Sequence, residues 1–414
     1  MIRAFGIAVL AFTTIVGCSG SSSDAANEPD AGAGPSDGGD PPAKPGASVD
    51  GGAPSTLPTT INVHYPRGGS TIAIRGTSAP LASDHGLATS ATDANTVTLV
   101  IDAPAGSDPI SFVPWLDDAT VARGPAYTVP AGQTIDVWPH FKNQKGTLTK
   151  AFAPFHSNVL TVDPADNDQA VWVYMPPSYD ENTLLRYPVV YMHDGQNLWV
   201  DADSTTGVAW HVDTQIDAAI EAGTMDEVIV VAPEHGTYRQ RIYAPVTDPG
   251  YPQSSPANGG LYAQMVVTEL KPAVDARFRT RSGREDTAAL GSSLGGLMTA
   301  FEGLKYPGTF GLLGEMSPSA WWFNDWIVFQ IDGASSSKTL FDRIYVDQGV
   351  DEGVLNAGML VREYQLRGYD LGENLTFYEE DGAQHDEAAW GRRIPLAMHA
   401  LFPPTREAIV GGKK

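Results

Sequence analysis

The chain has 414 residues, 42% of them hydrophobic, which is enough apolar side chain for two folded domains and excludes a fibrous or wholly disordered protein. Its formal net charge of -23, from 49 acidic and 26 basic residues, excludes nucleic acid as a partner and docking on anionic lipid headgroups, because both require clustered cations. A single cysteine excludes an intrachain disulfide.

Met1-Ile2-Arg3 and the apolar run 4–16 have the charged start and short hydrophobic region of a secretory signal, too short to span a bilayer. The run ends in Ile15-Val16-Gly17-Cys18, which is similar to a bacterial lipobox. Cys18 is therefore expected to be acylated and to become the new N-terminus. Ser19 rather than aspartate at the next position favours the outer membrane as the anchoring site, so the cell envelope is the expected location. Residues 19–58 are almost all Ser, Gly, Ala, Asp and Pro, the composition of a flexible tether.

Between 59 and 150 the texture changes to short β-rich runs at 61–65, 71–75, 96–101, 110–113, 126–129 and 134–138, separated by Gly, Pro and Asp. That spacing predicts a small antiparallel β-sandwich. From 151 to 404 strands alternate with helices. Strands are predicted at 170–175, 187–192, 228–232, 287–290, 310–316, 340–346 and 375–380, and helices at 212–222, 260–276, 294–305, 353–367 and 387–401. Near-continuous apolar strands in such alternation predict an α/β domain with a mostly parallel sheet covered on both faces. Residues 405–414 are a tail.

Gly291-Ser292-Ser293-Leu294-Gly295 forms a G-x-S-x-G elbow directly after the apolar run 287–290. A serine hydroxyl attacks when it projects from a tight strand-to-helix turn, where a Cβ at the flanking positions would meet neighbouring backbone, hence a glycine at each end. The string alone has weak specificity, so Ser293 as candidate nucleophile needs partners. His385, in Asp381-Gly382-Ala383-Gln384-His385-Asp386 after the last strand, is the candidate base, since strand C-terminal ends share one edge of an open α/β sheet. The carboxylate that would fix its tautomer is expected in Asp347-Gln348-Gly349-Val350-Asp351-Glu352-Gly353. Glu352 is favoured, Asp351 is the alternative, and Asp347 reads as a structural residue at the strand end. Two N–H donors are needed for an oxyanion. Leu294 is one; Gln196 is the other, in His193-Asp194-Gly195-Gln196-Asn197, where Gly195 permits close approach and His193 and Asp194 hold the loop. The histidines form no metal-ligand pattern, and neither metal nor cofactor is expected.

Together these residues resemble a known family. Tyr187 to Leu198, Gly291 to Leu297, and Gly382-Ala383-Gln384-His385 with Trp390 are similar to the putative-esterase branch of the α/β-hydrolases, over residues 158–402. That branch includes siderophore, feruloyl and acetyl-xylan esterases, S-formylglutathione hydrolase and mycolyltransferases. The resemblance implies an α/β-hydrolase fold and a serine carboxylesterase working through a Ser-His-acid triad and an acyl-enzyme. It also implies an acid three residues after the loop glycine, at Glu352, with neighbouring Asp351 keeping the choice open.

Several members carry a β-sandwich ahead of the hydrolase domain, and residues 75–81 are loosely similar to the start of starch-binding-like modules. Trp115, Tyr127 and Trp138 are thus candidates either for a sugar-stacking platform or for sandwich core. Trp321 and Trp322 follow a strand at the same sheet edge as Ser293, either as a wall of the substrate pocket or as packing under a loop. The expected partner is a small-molecule or polysaccharide ester, with glycan binding by the N-terminal module and membrane contact only through the lipid anchor. The competing readings are a non-catalytic polysaccharide-binding protein on a hydrolase fold and an acyltransferase.

Overall fold

A computed structural model describes residues 55–161, 168–333, 340–353 and 356–405. Cys18, the signal segment and residues 19–54 of the tether lie outside the described residues, as does most of the tail.

The N-terminal region is built from nine strands: β1 (Thr56–His64), β2 (Ile72–Gly76), β3 (Leu87–Ala88), β4 (Ser90–Ala91), β5 (Thr96–Pro104), β6 (Ile110–Leu116), β7 (Thr120–Val121), β8 (Tyr127–Val129) and β9 (Thr134–Val137). They form two sheets, β4-β5-β1-β9 and β3-β2-β6-β7, with β8 paired to β6. Side chains alternate along each strand, so Ile61 and Val63 of one sheet and Ile72, Ile74 and Phe112 of the other meet in a shared core. The sandwich is not wholly antiparallel, because β9 runs parallel to β1. It also starts earlier than expected. Thr56–Pro58, placed in the tether because its composition is mostly Ser, Gly, Ala, Asp and Pro, pair with Asp102–Pro104 of β5.

The α/β domain begins with β10 (Thr147–His156) and β11 (Asp168–Met175), so a domain boundary after residue 150 would cut a strand. Next come β12 (Val189–Met192), α1 (Val212–Glu221), β13 (Ile229–Pro233), α2 (Arg239–Ile242), α3 (Gly259–Met265), α4 (Lys271–Arg277) and β14 (Thr287–Ser292). The chain continues through α5 (Leu294–Lys305), β15 (Leu312–Met316), α6 (Trp322–Gly333), β16 (Arg343–Gly349), α7 (Ala357–Leu366), β17 (Leu375–Glu380) and α8 (Glu387–Leu401). The sheet order is β10-β11-β13-β12-β14-β15-β16-β17, parallel from β13 onward and antiparallel at β10 and β11. The single helix expected at 260–276 is α3 and α4 joined by a π-turn at Val266–Leu270.

Successive residues of the central strands serve two cores, which explains their unbroken hydrophobicity. Val189 and Tyr191 of β12 face α3, α5, α6 and α7, whereas Val190 and Met192 face α1 and α8. No helix among the described residues is long and apolar enough to cross a membrane.

The two regions are joined by buried polar contacts rather than by sequence proximity. The Glu181 carboxylate, 6% exposed, accepts from Tyr65 Oη at 2.9 Å and from the backbone N–H groups of Phe141 at 2.8 Å and Lys142 at 2.9 Å. Beside it, Asn182 Nδ2 donates to the carbonyls of His64 and Pro139. Removing the acceptor strands those buried donors. Glu181→Ala should lower the free energy of unfolding by about 2–4 kcal/mol in a urea melt. Glu181→Gln, which keeps one acceptor, should lose about half as much.

Candidate active site

β14 delivers Ser293 into the turn at φ 58 and ψ -121, a backbone conformation that a side chain adopts only when its surroundings enforce it. The enforcement is visible. Ser293 N–H donates to the Met316 carbonyl at 3.0 Å, and Ser319 N–H donates to the Ser293 carbonyl at 2.9 Å. A Cβ on Gly291 would stand 2.6 Å from His193 Cδ2 and 2.8 Å from the Gly295 carbonyl carbon, so no larger residue fits under the elbow. Leu294 is the first residue of α5, where backbone N–H groups have no intrahelical acceptor and the helix dipole is positive.

His385 reaches the same point from the loop after β17. The Asp386 side chain caps α8 by accepting from Ala389 N–H at 2.8 Å, which fixes where the helix starts and therefore where His385 stands. His385 Nε2 is 2.9 Å from Ser293 Oγ, and its Nδ1 is 3.1 Å from Glu352 Oε2. The imidazole and the Trp390 ring meet in a T-shaped contact, with ring centroids 4.9 Å apart and planes at 86°.

Glu352 keeps its second oxygen fully engaged. Oε1 accepts from Gly349 N–H at 2.8 Å, Ser317 Oγ at 2.9 Å and Arg393 Nη2 at 3.1 Å. Burial pushes the carboxyl pKa up, but the bonds from His385 and Ser317, the Arg393 charge and the Gly349 N–H together hold it below the usual glutamate value. It is therefore ionised at neutral pH. Asp351, the alternative acid, is exposed.

Asp347 has the structural part expected of it. Fully buried, it accepts from Tyr345 Oη and Ser317 N–H, each at 2.9 Å, and lies 3.2 Å from Arg393 Nε. Burial raises its pKa to about 6 against the pull of Arg393.

The loop after β12 carries the other expected donor. Asp194 adopts φ 61, its carboxylate takes two 2.7 Å bonds from Arg239, and its N–H donates to Tyr243 Oη at 2.9 Å. Burial works to raise the Asp194 pKa, and the Arg239 charge and hydrogen bonds outweigh it and hold the group low. A Cβ on Gly195 would come within 2.3 Å of the Ala232 carbonyl oxygen, so glycine is what lets this loop sit against β13. Gln196 lies in the 3₁₀ turn Gly195–Asn197, and its side-chain Oε1 accepts from His235 N–H at 3.3 Å. His193 is buried beneath, with Nδ1 at 3.1 Å from Tyr262 Oη and Nε2 at 3.5 Å from Glu302. Burial lowers the His193 pKa to about 4 and pushes that of Glu302 well up.

Several aromatic candidates are placed elsewhere. Trp322 is 1% exposed, donates Nε1 to the Val246 carbonyl at 2.9 Å and belongs to the core, so it cannot wall a substrate pocket. Trp321 is half-buried, with its ring 5.5 Å from that of Tyr251. In the sandwich, Tyr127 is core and stacks on Phe112, the Arg75 guanidinium covers Trp115 at 3.7 Å, and His64 stacks on Trp138 at 4.7 Å. Each of these contacts covers one face of the ring concerned.

Sequence reasoning missed Ser317 and Arg393. Ser317 sits at φ 38, and its Oγ accepts from Trp390 Nε1 at 2.9 Å and Arg393 Nη2 at 2.7 Å while donating to Glu352. Trp390 and Arg393 are three apart on α8 and share its inward face, a spacing the sequence does contain. Removing the buried guanidinium leaves Asp347 and Glu352 uncompensated. Arg393→Ala should reduce stability by about 3–5 kcal/mol, read as a shift in the urea midpoint.

Residues 165–401 match the family described as "Putative esterase". The chain is 26% identical over 250 residues to the uncharacterized protein YbbA of Bacillus subtilis (strain 168), an alignment covering 57% of this chain and 94% of that one. It is also 26% identical over 254 residues to an endo-1,4-beta-xylanase/feruloyl esterase of Xylanibacter ruminicola, covering 60% of this chain and 32% of that protein. Among solved structures, a ferulic acid esterase is 20% identical with a TM-score of 0.49, covering 63% of this chain and 99% of that one. The family match spans more than half of the sequence, and the chain belongs to this esterase family, a carboxylic ester hydrolase with an α/β-hydrolase fold.

Proposed function

We propose that the protein is a serine carboxylesterase in which Ser293 is the nucleophile, His385 the general base and Glu352 the orienting acid. The observation that carries this reading is the unbroken line from Ser293 Oγ through the imidazole to Glu352, at 2.9 and 3.1 Å. His385 Nε2 takes the Ser293 proton as Oγ bonds to the ester carbonyl carbon. Ionised Glu352 holds the Nδ1 proton and stabilises the imidazolium. The carbonyl oxygen becomes an oxyanion between the N–H groups of Leu294 and Gln196. His385 then protonates the departing alkoxide, leaving an acyl-enzyme that water resolves by the reverse sequence.

The same proposal places the enzyme outside the cytoplasm, tethered by a lipid on Cys18. Its support is the charged start, the apolar run and the lipobox-like end of residues 1–18, followed by a tether-like composition. The name of the Xylanibacter relative makes feruloyl esters the first substrate class to assay.

A fluorophosphonate should label the wild type and not Ser293→Ala, and that variant should lose at least ~10³-fold in turnover. Glu352→Gln should cost on the order of 10³–10⁴-fold, as a mis-set histidine tautomer does, whereas Asp351→Asn should stay within about twofold. Equal labelling of wild type and Ser293→Ala would remove the nucleophile assignment. In a host that acylates lipoproteins, a labelled fatty acid should be incorporated into the wild type and not into Cys18→Ala. Incorporation into both would remove the anchor.

A further inference from the structure

Ser293 Oγ has a second hydroxyl beside it. Ser319 Oγ lies 3.4 Å away, and Ser319 is only 2% exposed. Its position is set by backbone bonds. Ser319 N–H donates to the Ser293 carbonyl at 2.9 Å, Trp322 N–H donates to the Ser319 carbonyl at 3.1 Å, and two residues earlier Ser317 N–H is held by both the carbonyl and the carboxylate of Asp347 at 2.9 Å. Among the described residues the Ser319 hydroxyl has no other hydrogen-bond partner than Ser293 Oγ.

The direction of that bond follows from proton counting. Ser293 has one hydroxyl hydrogen, and with His385 Nε2 as its acceptor at 2.9 Å that hydrogen is committed. The remaining contact can only run the other way, from Ser319 O–H to a lone pair of Ser293 Oγ. At 3.4 Å it is longer than the 2.7–2.8 Å common for such pairs, and it should tighten when Oγ carries more charge.

We propose that Ser319 is a further catalytic residue, a hydrogen-bond donor to Ser293 Oγ that assists the breakdown of the acyl-enzyme. The proposal rests on Ser293 being the nucleophile. In deacylation a water oxygen bonds to the acyl carbon and gives its proton to His385 Nε2. The tetrahedral intermediate then collapses by breaking the bond between that carbon and Oγ, and His385 returns the proton to Oγ. Negative charge builds on Oγ while the bond breaks, and the Ser319 hydrogen bond stabilises it there without transferring its own proton. In the acylation direction the same donor also stabilises the charge that Oγ gains as its proton passes to His385, but it withdraws electron density from the attacking oxygen, so its net help to the first half-reaction is smaller. The two halves of the cycle therefore depend differently on one hydroxyl.

The test is stopped-flow turnover of p-nitrophenyl acetate by the full chain, wild type beside Ser319→Ala and Ser319→Cys. In Ser319→Ala the deacylation rate should fall about 3- to 10-fold, the loss of one neutral hydrogen bond, while the acylation burst slows clearly less. kcat should then fall more than kcat/KM. The thiol, a weaker donor, should give an intermediate deacylation rate. Thermal melts show whether each variant is folded, and a variant that melts early is replaced by Ser319→Thr, expected to retain slow-step activity through its hydroxyl. Equal slowing of both phases, or no change in deacylation, would overturn the assignment. If Ser293→Ala still shows a burst, it is the nucleophile assignment that fails.

Discussion

Arg393 is 1% exposed, and around it stand Asp347 at 3.2 Å, Glu352 at 3.1 Å and Glu380 at 3.6 Å. Removing charges from water costs several kcal/mol each, and such a cluster persists only when every member is held by the others and by further hydrogen bonds. Here the guanidinium ties the inward face of α8 to the ends of β16 and β17, and the Ser317 hydroxyl closes the ring between Arg393, Trp390 and Glu352. The consequence reaches the site directly. Glu352 meets His385 with one oxygen because its other oxygen is already fixed, so the imidazole is oriented by a group that cannot swing away.

The elbow that carries Ser293 rests on a different constraint, which is space. Ser293 occupies a positive φ that most side chains avoid, and the turn packs closely because Gly291 and Gly295, two positions away on either side, carry no Cβ. His193 fills the volume beneath Gly291, and His193 is itself packed among Tyr243, Tyr262 and Glu302. The loop that bears Gln196 and the elbow that bears Leu294 are thus two surfaces of one packed unit.

What was legible in the sequence was mostly local. α5, β17 and α8 have the bounds that periodicity and capping predict, and the elbow glycines announce their purpose. Ser293, His385 and the loop that holds both Glu352 and Asp351 could be proposed because a parallel sheet brings strand ends to one edge whatever the loops contain, while the choice between the two acids stayed open. The parts that were not legible depend on partners far away in the chain. Pairing of Thr56–Pro58 with β5, of β9 with β1, and of β10 with β11 is a matter of backbone ladders, not of hydrophobic pattern. Trp322 follows a strand at the same sheet edge and could have faced either way; a hydrogen bond to Val246 turns it inward. Arg393 reads as an ordinary helix cation until tertiary contacts surround it with carboxylates.

The central claim is that the acyl group of a substrate passes through Ser293. Rapid quenching of the full chain with a p-nitrophenyl ester, followed by peptide mass spectrometry, tests it most directly. The account predicts an acyl mass increment on the peptide containing Ser293 within the first turnover, absent from Ser293→Ala. An increment on another residue, or turnover with no covalent adduct at any time, would contradict it.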